Sequence, residues 1–527
     1  MTTKKQNSGL LLALRTSVVS GMTLISRVLG LVRDVVFARY FGASLVMDAF
    51  LVAQRIPNML RRFFAEGAFS AGFIPVMARY REKHDHIEAR EFVDAVAGTF
   101  GIVLFFVTLA GVIASPLLVL IVAPGFVGDG GDFDLAALML RFTFPYLLFV
   151  SLTAFAGGIL NTYGRFGVPA FTPVILNVVL IAAAVWLSPR LEQPVMALAY
   201  AILVAGILQL LFQLPFLARI HAFPRPIWSP RHEGVRRAFR LMVPAIFGSS
   251  VAQINVLLGG IIASLLPVGS ISYLYFSDRL MEFPLGLFSI ALATVTLPTL
   301  SRLWASEDKT EFGQTLDWSM RLALLIVVPA AAGLILLAGP LIATLFFGGI
   351  FDENSVNMTM LALRAYAVGL IGFSFVKVLA PAFFAREDTR TPVRIGLVAL
   401  GTNLVLSVAS AWYLTATGFS GPHVGLAAAT SAAAVLNAAL LYRGLRRDQV
   451  IRHSAGWLAL LARVGIANLV MCGVLFQLGR PLDWWLEVTL FERIYWLAVS
   501  VTVGAASYFL ALLVLGMRPS QFRLRAH

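Results

Sequence analysis

A chain of 527 residues with 59% apolar and only 13% charged side chains lies far from the balance of a soluble domain, so a polytopic membrane protein is expected. Its formal net charge of +14 reads mostly as a topology signal, and nucleic-acid binding is not needed to explain it. The single cysteine, Cys472, excludes an intrachain disulfide; no cleavable signal peptide is expected, because Lys4, Lys5 and Arg15 lead into a long apolar stretch without a small-residue cleavage pattern.

Apolar runs long enough to span a bilayer predict helices over 16–39, 46–78, 92–122, 135–160, 168–188, 194–217 and 238–266. They continue over 271–300, 319–347, 357–384, 393–414, 422–442, 457–478 and 491–516, about fourteen in all. Between them, 27 of the 41 Lys and Arg fall on one set of alternating connections, against only Arg190, Arg480 and Arg493 on the other. Both termini are therefore expected in the cytoplasm, with acidic lipid headgroups as partners of that face.

The chain also resembles itself. Pro75 and Arg79 recur as Pro298 and Arg302, Leu140-Arg141 as Leu363-Arg364, and Pro169 as Pro392, all at an offset of 223. One residue out of step, Ser115-Pro116-Leu117-Leu118 matches Gly339-Pro340-Leu341-Ile342. The expected fold is all-α, with two parallel six-helix repeats over 1–233 and 234–452 and two further helices over 453–527. Parallel repeats about an axis along the membrane normal are a transporter architecture. An old duplication without a present mechanical role is the plainer alternative.

Charge inside the spans is the strongest local signal. The stretch 27–66 holds Arg27, Arg33, Arg39, Arg55, Arg61 and Arg62 against Asp34, Asp48 and Glu66. Each charge at bilayer depth costs roughly 2.5–3.5 kcal/mol, so these side chains must face water, one another or a ligand. With arginine in excess, the ligand should be an anion. At about 100° per residue, Asp48, Arg55, Arg62 and Glu66 share one face of the second helix, and Arg27 and Asp34 share one of the first. Pro57 disturbs that phase, so which of Arg61 and Arg62 turns inward stays open. The eighth span adds Asp278, Arg279 and Glu282, just before Pro284, which places charge in both repeats and suggests a cavity between them. Arg39, Arg141 and Arg364, near helix ends, are expected to reach the headgroups. Lys377 is expected either to line a cavity or to form a buried ion pair.

Enzyme signatures are scarce. The seven histidines are scattered without metal-ligand spacing, Asp132-Phe133-Asp134 is a lone acidic pair in a Gly-rich loop, and no phosphate-cradling P-loop run occurs. Two other classes stay in view. A cation-coupled drug exporter would want an acidic cavity, whereas an enzyme acting on polyprenyl phosphates would need a nucleophile or metal carboxylates beside its arginines.

Several motifs are long and specific: Arg27-Val28-Leu29-Gly30-Leu31-Val32-Arg33-Asp34, Asp48-Ala49-Phe50, Pro57-Asn58-Met59-Leu60-Arg61-Arg62, and Phe64-Ala65-Glu66-Gly67-Ala68-Phe69-Ser70. With Asp278-Arg279-Leu280-Met281-Glu282-Phe283-Pro284 and Leu160-Asn161-Thr162, they closely resemble the MurJ/MviN family across essentially the whole chain. That resemblance implies a bacterial inner-membrane flippase of lipid II within the multidrug/oligosaccharidyl-lipid/polysaccharide exporter superfamily. It further implies alternating access through a central cationic cavity and essential arginines at Arg27, Arg33 and Arg279. The candidate substrate-binding set is thus Arg27, Arg33, Asp34, Asp48, Asn58, Arg61, Arg62, Glu66, Asp278, Arg279 and Glu282. By the same resemblance the last two helices form a groove for the polyprenyl tail, and the cell-wall synthesis machinery is a partner. Some relatives bind sodium through carboxylates on helices seven and eleven. Here those helices offer Gln253, Asn255, Asn403 and Ser407 instead, so a sodium site lacks its acids. No cofactor is expected, and the membrane potential is the expected contributor to direction.

Overall fold

Proline decides where several of the expected helices stop. The computed structural model describes the backbone of residues 2–63, 68–83, 86–128, 132–451 and 456–518. Side chains are described for the same residues except 2–18, 68–71, 83, 86, 244–252, 287, 289–291 and 295. Every predicted apolar run is mostly helical where it is described, and no strand forms among the described residues.

In chain order the first helices are α1 (Thr2–Phe41), α2 (Leu45–Arg61), α3 (Ala68–Lys83), α4 (His86–Ile113), α5 (Ser115–Val122), α6 (Phe133–Thr143) and α7 (Tyr146–Thr162). They are followed by α8 (Gly167–Ala182), α9 (Met196–Arg219), α10 (Glu233–Ser264), α11 (Ser270–Pro284), α12 (Ile290–Ala305), α13 (Lys309–Leu336) and α14 (Ala338–Leu345). The last are α15 (Glu353–Phe384), α16 (Arg390–Ala416), α17 (His423–Arg447), α18 (Trp457–Leu478), α19 (Leu482–Glu487) and α20 (Leu490–Val514). Among the described residues, ten helical segments are long and apolar enough to cross a membrane. The expected spans 16–39, 46–78, 238–266 and 271–300 are not among them. Three of these hold the intramembrane charges noted above.

Four spans expected to be continuous are broken. The run 92–122 divides at Ala114, ahead of Pro116, and 319–347 divides at Leu337, ahead of Pro340. In both places a helix of 28 residues gives way to one of eight. The run 135–160 divides at Phe144–Pro145, and 271–300 passes through a π-helical turn, Leu285–Ser289, directly after Pro284. A proline lacks the N–H its helix needs, so it either opens a new helix or leaves the carbonyl four residues back without its donor.

At three of the prolines that stay inside a helix, a hydroxyl supplies the missing donor. Thr143 Oγ1 donates to the Ala53 carbonyl freed by Pro57, at 3.1 Å. Thr172 Oγ1 donates to the Pro169 carbonyl freed by Pro173, at 2.8 Å. Tyr508 Oη, on α20, donates to the Leu325 carbonyl freed by Pro329 on α13, at 2.8 Å. Without these partners each carbonyl would be a buried unsatisfied acceptor, costing about 1–3 kcal/mol. The Tyr508 bond also ties α20 to α13.

The helices pack as two compact units, 1–268 and 269–527. Within the first, Phe73, Phe92 and Phe155 form an aromatic centre, with rings 5.7 and 5.1 Å apart, joined by Val235, Ala238 and Met242 of α10. The packing boundary therefore lies one helix beyond the sequence-repeat boundary at 233. Within the second, one cluster gathers Leu300, Phe312, Val378, Phe383 and Leu441. Another joins α13 to α18 and α20 through Leu324, Val464, Met471, Tyr508 and Leu512.

Candidate functional site

The second half of α1 buries residues 33, 34, 37, 38 and 41, the spacing of one helical face. Two of those positions are ionic. Arg33 donates from Nη2 and Nε to the same oxygen of Asp34, at 2.7 and 3.0 Å, with both side chains under a tenth exposed. Its Nη1 donates to Asn177 Oδ1 of α8 at 3.1 Å, while Asn177 Nδ2 returns a bond to the Ser26 carbonyl of α1 at 3.0 Å. Phe37 lies beneath the guanidinium, 5.6 Å from its carbon, and is itself packed edge-on against Phe50. Buried charges survive only when paired and hydrogen-bonded, and this one is held by a carboxylate, an amide and an aromatic face. Arg33 is thus a fixed guanidinium. Arg27, six residues and about 9 Å earlier along the axis, is exposed.

The α2 helix opens with Ser44 as its N-cap and Asp48, buried, in its first turn, where a carboxylate complements the helix dipole. The face shared by Arg55 and Arg62 is turned to α10. Arg55 lies flat on Gly260, where any Cβ would collide with the guanidinium. Arg62 Nη1 reaches Gln253 Oε1 at 3.4 Å. The steps 55 to 62 and 260 to 253 are both seven residues, which is the register of an antiparallel helix pair. Arg62 is exposed and Arg61 half-buried, so neither is sequestered, and Asn58 is half-buried beside Gln54, Thr143 and Tyr146. Glu66 lies outside the described residues.

In the second unit Arg279 Nη1 meets Glu282 Oε2 at 3.2 Å, with the two side chains 38% and 50% exposed. An exposed pair of this kind contributes only about 0–1 kcal/mol, so Glu282 steers Arg279 without locking it. The ring of Tyr275, one turn earlier, supports the guanidinium at 5.3 Å. Asp278 is half-buried, and the π turn begins three residues after Glu282. Such turns occur often at functional sites. Lys377 is exposed and has no carboxylate partner among the described residues, so of its two expected settings the buried ion pair does not form.

The structure therefore places Arg33 with Asp34, and Arg279 with Glu282. It adds Asn177, Gln253, Gly260 and Tyr275, none of which was singled out as a partner of these arginines. Asn177 carried a faint signal as a lone amide in the apolar run 168–188, whereas Gly260 carried none. Gln253 is engaged by Arg62, and Asn403 accepts from Thr430 and Ser407 at 3.3 and 3.4 Å.

Comparison with known proteins follows the same lines. A family model described as lipid II flippase MurJ matches residues 37–496. A probable lipid II flippase MurJ of Vibrio cholerae is 45% identical over 508 residues, covering 95% of each chain. A lipid II flippase MurJ of Burkholderia cenocepacia is 42% identical over 513 residues, covering 96% of this chain and 98% of its own. A solved lipid II flippase MurJ in an inward closed conformation superimposes with a TM-score of 0.77 at 26% identity, over 94% of this chain and 97% of that one. An inward-facing multidrug MATE transporter of the MOP superfamily shares the fold, with a TM-score of 0.65 at 16% identity, over 82% of this chain and 98% of its own.

Proposed function

The chain belongs to the lipid II flippase MurJ family, and from that membership we propose that it carries lipid II from the cytoplasmic to the periplasmic leaflet of the bacterial inner membrane. It is a transporter and not an enzyme: the lipid leaves as it entered. The single observation that carries the reading is the build of Arg33, whose buried guanidinium is fixed by Asp34, Asn177 and Phe37. A pyrophosphate offers the planar, bidentate acceptor pattern that guanidinium groups match, and arginine keeps its charge when water is removed.

In this reading the fourteen apolar runs are the spans, arranged as two parallel six-helix repeats and a final pair, with both termini in the cytoplasm. Arg27, Arg33 and Arg279 hold the headgroup's phosphates in alternating access. Asp34 and Glu282 position the arginines, while Asp48, Asn58, Arg61, Arg62, Glu66 and Asp278 contribute around them. The polyprenyl tail follows the last two helices. Sodium is not assigned a place. Net negative charge moved outward against an inside-negative membrane gains about 2.3 kcal/mol per charge per 100 mV, so the potential assists export.

Depletion of the chain in its own cell tests the assignment. Chemically unaltered lipid II should accumulate in the inner leaflet; an unchanged leaflet distribution contradicts it.

A further inference from the structure

The two places where a 28-residue helix gives way to an eight-residue one are not alike chemically. In the first unit Arg141 Nε donates to Ser115 Oγ at 3.1 Å. The corresponding pair in the second unit is Arg364 and Gly339, so the hydroxyl is gone, and Arg364 Nε turns to the Ile335 carbonyl at 3.2 Å. A cavity of about 120 Å³ lies beside Arg364 and Gly339. Gly339 lines it, and a Cβ there would press within 3.1 Å of Leu482 and Met360.

What surrounds this cavity is cationic and aromatic. Arg364 and Arg480 line it without any acidic residue. The guanidinium carbon of Arg480 stands 4.0 Å from the ring centre of Trp484 and 3.9 Å from that of Trp496, held between two indoles. Among the described residues neither Arg364 nor Arg480 has a carboxylate partner. Trp485 also lines the cavity; it is 2% exposed, and its indole N–H is buried with no acceptor. A buried donor left unmade costs about 1–3 kcal/mol, which an acceptor entering the cavity would recover. Leu475, Leu478 and Leu482 form an apolar wall, and Ser500, the other polar side chain of the lining, donates to the Trp496 carbonyl at 2.8 Å.

We propose that this cavity binds the phosphate of an anionic phospholipid headgroup. Two guanidinium groups and an indole N–H supply donors to its oxygens, and the leucine wall receives the start of the acyl region. Tryptophans cluster at the level of membrane headgroups, and by the lysine and arginine asymmetry this end of the unit faces the outer leaflet. None of these residues is among those assigned to the lipid II headgroup.

The test uses the full chain in nanodiscs of equimolar phosphatidylglycerol and phosphatidylcholine, with retained lipids counted by native mass spectrometry. Phosphatidylglycerol should be enriched on the native protein. Arg364→Gln and Arg480→Gln should each weaken that retention about tenfold, the worth of a lost charge-assisted hydrogen bond. Trp485→Phe keeps the ring bulk and should also weaken it, which preserves the test if an arginine variant fails to fold. Displacement by excess inorganic phosphate would support the same phosphate chemistry with a free anion as its source; retention despite phosphate supports the lipid. No enrichment on the native protein, or enrichment unchanged in all three variants, overturns the proposal.

Discussion

Arg33 and Arg279 carry the same charge on opposite terms. Arg33 is buried with Asp34, so Asp34→Asn leaves a guanidinium without its counter-ion and should destabilise the protein by about 3–5 kcal/mol, read as a lowered unfolding temperature. Arg279 is more than a third exposed in its pair with Glu282, so Arg279→Gln should change stability by less than about 1 kcal/mol while weakening lipid II binding. Equal losses of stability in the two variants would contradict this division. Both arginines were legible in the sequence, because an ionised side chain in an apolar run has few bland explanations. The amide that holds Arg33 was not: Asn177 matters only once α8 meets α1, as Gly260 beneath Arg55 matters only once α10 meets α2, and no local pattern encodes those pairings.

Elements follow a related logic. Apolar run length marked the helices, yet it failed where proline opened a new helix, at Ala114, Phe144 and Leu337, because a window of hydropathy does not distinguish a helix-starting proline from a tolerated one. The connection after α18 holds too few apolar residues to span, and only the structure shows its six-residue helix, α19. Two of the tolerated prolines, Pro57 and Pro329, depend on donors brought by other helices. Thr143→Val and Tyr508→Phe should each cost about 1–3 kcal/mol by stranding the carbonyls of Ala53 and Leu325. In a Pro329→Ala background the helix supplies its own donor, so Tyr508→Phe should cost markedly less. Thermal unfolding of the four members of that cycle checks it, and an additive outcome would remove the carbonyl argument.

Across the whole molecule, two compact units of nearly equal length each carry buried or half-buried arginine with acidic neighbours, and the family's cargo is an anionic lipid. Export of net negative charge should accelerate with an inside-negative potential imposed on vesicles, and a rate independent of voltage would remove the electrostatic contribution to direction. The central claim is that guanidinium groups grip the pyrophosphate. It is tested most directly by leaflet exchange of labelled lipid II in vesicles holding the purified full chain, comparing the native protein with Arg33→Lys, which keeps charge but loses the planar fork, and Arg279→Gln. The account predicts exchange by the native chain and a loss of about tenfold or more in both variants, with the protein still folded. Exchange undiminished in both would contradict it.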